Sequence, residues 1–236
     1  MTKTIAATAM TTDPTNLLRL QSWLSPAFPI GAFSYSHGLE YAVEAGLVHD
    51  RDSLIDWLDG DLRFGSGRNE AIFLVLALKS EGEAFLEIAE LAEASAASKE
   101  LALEGLSQGQ AFLLTIQRAW PNEALTAGAD LLNKSGITPT QAVATALVCR
   151  VHGIDPTDTL HLYLQAWSAN LINAAVRLVP LGQTDGQLAQ AALEAAIIAT
   201  ASAANDATLD DIGSAALMVD WASMQHENQY TRLFRS

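Results

Sequence analysis

The chain has 236 residues, 50% of them hydrophobic, with 13 basic against 27 acidic side chains and a formal net charge of -14. Such a composition supplies a large core and excludes wholesale disorder, and the shortage of lysine and arginine argues against a phosphate-gripping nucleic-acid protein. The one cysteine, Cys149, excludes an intramolecular disulfide and a Cys/His structural zinc site within one chain, and fits a reducing, cytoplasmic compartment.

Residues 1–15 read as a flexible tail: Thr2, Thr4, Thr8, Thr11 and Thr12 are polar, and no sustained apolar run marks a secretory signal. Leu17, Leu18, Leu20, Trp23 and Leu24 then recur at near-helical spacing. Ser25-Pro26 ends that helix, and Pro29 and Gly31 prolong the break. The connection carries Phe28, Ile30, Phe33 and Tyr35, so it is either tucked into the core or held out for a partner. Ser34 or Ser36 is placed to cap a second helix, with Glu40 and Glu44 in its early turns.

Asp50 to Phe64 repeats Leu54, Ile55, Trp57, Leu58 and Leu62 at helical intervals. Asn69 to Lys79 is an apolar run that suits a buried strand or a buried helix; its alanine and leucine content favours helix. Helices are expected over Glu83–Ala97 and Lys99–Trp120, the second with a smooth strip at Gly105 and Gly109 that admits a close neighbour. Pro121 stops it, and a short helix covers Glu123–Asn133. Thr140–His152 is apolar on most sides and therefore central. Asp155-Pro156 starts a long helix that runs through Val179 to Pro180.

Thr184 or Asp185 is placed to cap an alanine-rich helix reaching Ala204, too short and too charged at Glu194 to span a membrane. Thr208–Met224 reads as the last helix, and 225–236 as a polar-aromatic tail. No alternating strand pattern and no fixed repeat occurs. The expected fold is all-α: a single domain over 16–224, with bundle-like packing of about ten helices.

Catalytic signatures are scarce. None of the five histidines is paired in HExxH spacing, and there is no GxxxxGKS/T loop and no GxSxG elbow. Cys149 in its apolar helix reads as a buried structural thiol. No cofactor is implied. His37 and Glu40, three apart, point the same way on a helix but make only two ligands; they define the alternative of a helical metal-dependent hydrolase. The last twelve residues are more informative. Arg232 and Arg235 are interleaved with Tyr230, Leu233 and Phe234, a composition enriched at interface hot spots. Those rings either dock a partner or fold back onto their own helices. Arg177 and the Val179–Gly186 turn, with Pro180, Gly182 and Gly186, read as a shaped connection with Asp185 as its cap.

Three blocks in order carry a resemblance: LSPAFPIGAFSYSHGLEYAVEAG from Leu24, NAAVRLVPLGQTDGQ from Asn173, and MQHENQYTRLFRS from Met224. Together they resemble the urease accessory protein UreF family along nearly the whole chain. The resemblance implies an all-helical homodimer without catalytic activity. It implies a urease maturation factor that works with UreD (also called UreH) and the GTPase UreG on apo-urease, assisting nickel insertion and bridging the partners or regulating the GTPase. It implies partner contact through the 225–236 segment. On that basis Tyr230, Arg232, Leu233, Phe234 and Arg235 are expected to order on meeting the UreD-type partner, and Phe33, Ser34, Tyr35 and Glu40 to shape the surface offered to the GTPase.

Overall fold

The computed structural model describes residues 13–236. Among them it contains twelve α-helices, two short 3₁₀ turns and no strand. The all-α expectation therefore holds.

Five of the twelve helices start where a short polar side chain satisfies free backbone N–H groups. Asp13 accepts from the Thr15 amide and opens α1 (Pro14–Trp23), so residues 14 and 15 belong to the helix. The rest of the expected flexible tail, residues 1–12, lies outside the described residues. α2 (Leu39–Glu44) is short. Asp50 and Ser53 form a reciprocal capping box on α3 (Arg51–Phe64). The apolar run resolves as helix, α4 (Ser66–Lys79), followed by α5 (Gly82–Ala94). Ser98 caps α6 (Lys99–Ala119), and Asn122 caps α7 (Glu123–Lys134).

α8 (Gln141–Val151) is the axis of the fold. Every residue from Ala142 to Cys149 is buried, and α4, α5, α6, α7 and α9 (Pro156–Leu178) pack around it. Its first charge, Arg150, ends the run by donating to the Ala77 carbonyl and lying over the Phe85 ring. Cys149 is buried among these helices, and burial pushes its thiol up to about 12. An unreactive thiol follows. Beside this axis, Trp23 packs edge-on to Trp120, and Phe28 lies against Phe112, which pins the start of the α1–α2 connection to the core.

Beyond shifts of up to three residues at the ends of α4 and α5, and an alanine-rich helix that starts at Gln183 and so encloses the expected caps Thr184 and Asp185, three differences from the sequence reading stand out. The alanine-rich segment is two helices, α10 (Gln183–Ala192) and α11 (Glu194–Asn205), separated at Leu193, whose side chain the turn buries completely. The last helix is shorter than Thr208–Met224. Asp211 folds back onto the Thr208 amide, the amides of Gly213 and Ala215 donate to Asn69 and Phe64, and only α12 (Leu217–His226) is helical. The backbone amides of 213 and 215 are thus spent on α4 and α3 instead of a helical ladder. Third, neither Ser34 nor Ser36 is the cap of α2. Two successive left-handed residues, His37 (φ 60°) and Gly38 (φ 78°), precede it. Gly38 is required there, because a Cβ would lie 2.7 Å from the Ser223 backbone, where α12 crosses α2. No helix among the described residues is long and apolar enough to cross a membrane.

Candidate functional site

The α1–α2 connection and the C-terminal segment, 200 residues apart in sequence, meet on one face. The connection first turns back at Gly31 (φ 78°) into a 3₁₀ turn over Ala32–Ser34. The C-terminal segment leaves α12 and lies alongside it. The Arg235 amide donates to the Ser34 carbonyl at 2.9 Å, and the Ser36 amide to the Ser236 backbone oxygen at 3.0 Å. The Ser36 hydroxyl also donates to Ser236, and its oxygen accepts from the Glu40 amide at 3.2 Å, a capping-like contact although Ser36 is outside the helix.

Glu40 anchors the segment from below. Its Oε1 accepts from the Leu233 amide at 2.7 Å and its Oε2 from the Phe234 amide at 2.9 Å. The same Oε2 lies 3.2 Å from His226 Nε2, while His226 Nδ1 lies 2.5 Å from Glu100 Oε2. Arg232 closes the group, with Nη1 at 2.5 Å from Glu100 Oε1. On the other side, Arg177 is stacked between two rings, 3.7 Å from the Phe33 centroid and 4.3 Å from that of Phe234. Arg235 lies 6.0 Å over the Tyr35 ring.

The expected residues are therefore brought together, but with different roles. Phe33, Tyr230 and Leu233 are exposed; Tyr35, Glu40 and Phe234 are buried. The segment is laid on its own chain, not held free to order on a partner, and the rings of Tyr35 and Phe234 face inward. Replacing Glu40 by alanine orphans two backbone amides and the His226 contact. The expected cost is about 2 kcal/mol, with faster tryptic cleavage after Arg232 as the readout. Unchanged cleavage would remove Glu40 as the anchor.

Beneath this face is a polar interior that the sequence reading did not single out. Asp61 accepts from the Ser66 amide and hydroxyl at 2.7 and 2.8 Å, Ser66 meets His37 Nε2 at 2.7 Å, and His37 Nδ1 lies 3.5 Å from Glu104. Glu104 also accepts from the Ser236 hydroxyl at 2.6 Å. Glu70 accepts from the Tyr163 hydroxyl. Burial alone lowers the His37 pKa, but the adjacent Glu104 carboxylate, and then Asp61 and Glu70, outweigh it and push it up to about 9. Burial raises the carboxyl groups of Asp61 and Glu70 and the Tyr163 phenol. A cavity of about 90 Å³ adjoins these groups, walled by Trp23, Phe28 and Trp167. The signal that was available is the placement of Glu104 and Gln108 between Leu101 and Phe112 on the apolar face of α6.

The His37–Glu40 pairing of the hydrolase alternative does not occur: His37 serves Ser66 and Glu104, whereas Glu40 serves the C-terminal segment. Among the described residues no group of three or more His, Cys, Asp or Glu side chains is placed to hold a metal ion.

What these elements define is an all-α protein in which Glu40, Glu100, His226 and Arg232 hold the C-terminal segment against the α1–α2 connection. The family model described as UreF matches residues 48–194. The chain is 47% identical to the urease accessory protein UreF of Rhodopseudomonas palustris (strain BisB5) across 99% of its own length and 96% of the relative's. It is 50% identical to that of Bradyrhizobium diazoefficiens, across 93% and 91%, and 42% identical to that of Magnetococcus marinus, across 93% and 97%. The chain belongs to the UreF family, whose members are urease accessory proteins and not enzymes.

Proposed function

We propose that the protein serves in urease maturation as a homodimeric cytoplasmic assembly factor that bridges a UreD/UreH-type protein and the GTPase UreG on apo-urease. Nickel is the cargo of that assembly, passed to the enzyme and not retained here. The observation that carries the reading is the single face built from the α1–α2 connection and the C-terminal segment. There the exposed Phe33, Tyr230 and Leu233 stand beside Arg232 and Arg235, a mixture suited to a protein partner. The UreD-type partner takes the 230–235 side, and the turn at Phe33–Tyr35 shapes the side offered to the GTPase. A dimer presents two such faces and recruits two GTPases.

The test is mixing the chain with a UreD/UreH-type protein and then with UreG, followed by size-exclusion mass analysis. A ternary complex is expected. Leu233→Ala and Phe33→Ala each remove an exposed side chain and are expected to weaken assembly by about tenfold, an interface cost of about 1.4 kcal/mol, at unchanged helicity. Absence of any complex with or without GTP overturns the reading.

A further inference from the structure

We infer that the partner docked at the Phe33–Tyr35 turn, the GTPase in the proposed function, brings an acidic segment whose carboxylates pair with Arg177 and Arg235. The formal charge of -14 points the other way, to a basic partner. The chemistry at the turn opposes that. Arg51, Arg63, Arg68 and Arg232 each lie within ion-pair distance of a carboxylate, whereas among the described residues Arg177 and Arg235 are in no ion pair.

Both arginines flank the turn. Arg177 is in the last turn of α9, half-buried, with the rings of Phe33 and Phe234 against its guanidinium. Rings serve the flat faces of that group, but its five N–H donors point outward in its plane and need acceptors. Nε donates to the Asn173 carbonyl at 3.2 Å, and Nη2 is buried with no hydrogen-bond partner. The stack thus fixes the plane of a fork that lacks its acceptor, and a carboxylate is the group that fits such a fork. Phe33, the nearer ring, is 70% exposed, so a partner that shifts it reaches the fork. Arg235 is exposed. Its amide donates to the Ser34 carbonyl, and its guanidinium stands over the Tyr35 ring, on the turn's side of the segment.

The carboxylates that reach the C-terminal segment are already used. Glu40 accepts from the Leu233 and Phe234 amides, Glu100 is taken by Arg232, and Glu104 accepts from the Ser236 hydroxyl. The turn is a basic spot on an acidic chain. A nucleic acid is a poor occupant, because two arginines grip few phosphates while the rest of the chain repels a polyanion. An acidic protein segment needs only the spot itself, and the surrounding negative charge orients it there.

This deepens the proposed function and rests on it. The test is the rate at which UreG joins and leaves the preformed complex of the full-length chain with its UreD/UreH-type partner. Arg235→Glu changes an exposed side chain and keeps the backbone contact to Ser34. It is expected to slow joining about tenfold at about 0.05 M salt and less than about threefold at about 0.5 M, where an exposed charge is screened. Arg177→Gln is expected to speed dissociation at least about tenfold at unchanged helicity. Arg118→Gln, which removes an exposed and unpaired charge on α6, changes neither rate. Arg235→Glu that joins as fast as the wild type, or faster as a basic partner requires, overturns the inference, as does unchanged dissociation from Arg177→Gln. Loss of the UreD/UreH-type partner from Arg235→Glu, with joining of UreG unaffected, overturns it as well. Those outcomes leave the proposed function standing; a wild-type complex that recruits no UreG overturns both.

Discussion

Gly109→Ala is expected to destabilise the protein by at least about 3 kcal/mol, although alanine inside a helix ordinarily stabilises by up to about 1 kcal/mol. The reversal comes from what the methyl group meets. A Cβ at this position would lie 2.1 Å from the Pro139 carbonyl oxygen and 2.5 Å from the Thr140 carbonyl carbon. Both are backbone atoms leading directly into α8, so no side chain can rotate away. Relief requires α6 to withdraw from the axis of the fold, and every buried residue from Ala142 to Cys149 loses packing. For a chain of this size the thermal midpoint is expected to fall by roughly 10 °C. Gly60, a helical glycine in α3 with nothing near its would-be Cβ, is the control: Gly60→Ala is expected to raise stability by about 0.5–1 kcal/mol. A Gly109→Ala variant that melts with the wild type would show that α6 is held loosely.

The second large effect is one of pH. His37 binds its proton more tightly in the folded protein, where its value is about 9, than at its ordinary value of 6.5. A folded value raised in this way gives a stabilisation that is complete below 6.5 and is lost as pH rises through 9. With about 1.4 kcal/mol per unit, the difference is of the order of 3 kcal/mol. Urea unfolding is expected to show that decline across the window for the wild type. His37→Gln is expected to show a flatter profile and lower stability on the acid side, because Glu104 then lies buried without its cation. Parallel profiles for the two proteins would remove His37 as the source.

Much of the helical framework was legible because its causes are local. Asp50, Asn122 and Asp155-Pro156 cap the helices expected to follow them, and the stretch before Arg150, apolar but for Thr145, places α8 at the centre. The close-approach glycine was legible as well, although its neighbour is the backbone entering α8 and not another helix. What spacing could not reveal was pairing at a distance. Thr208–Met224 has the composition of one helix, yet Asn69 and the Phe64 carbonyl claim two of its amides. Ser36 resembles a cap, but the crossing of α12 at Gly38 delays α2 to Leu39. The candidate site shows the same division. Its exposed residues were legible as a mixture of arginines and rings. The anchoring functions of Glu40, Glu100 and His226 were not, because each partner is more than 100 residues away.

That separation has a consequence during synthesis. Chains leave the ribosome from the N-terminal side, and local helices form as they emerge. Ser34, Ser36 and Glu40 emerge long before residues 233–236, which hold the atoms that pair with them. A nascent chain, or one clipped by a protease near Arg232, retains the helices around α8 and still lacks the finished face. The face is therefore assembled only after residues 233–236 have joined the α1–α2 connection, and its completion reports that almost the whole described chain has been made and folded.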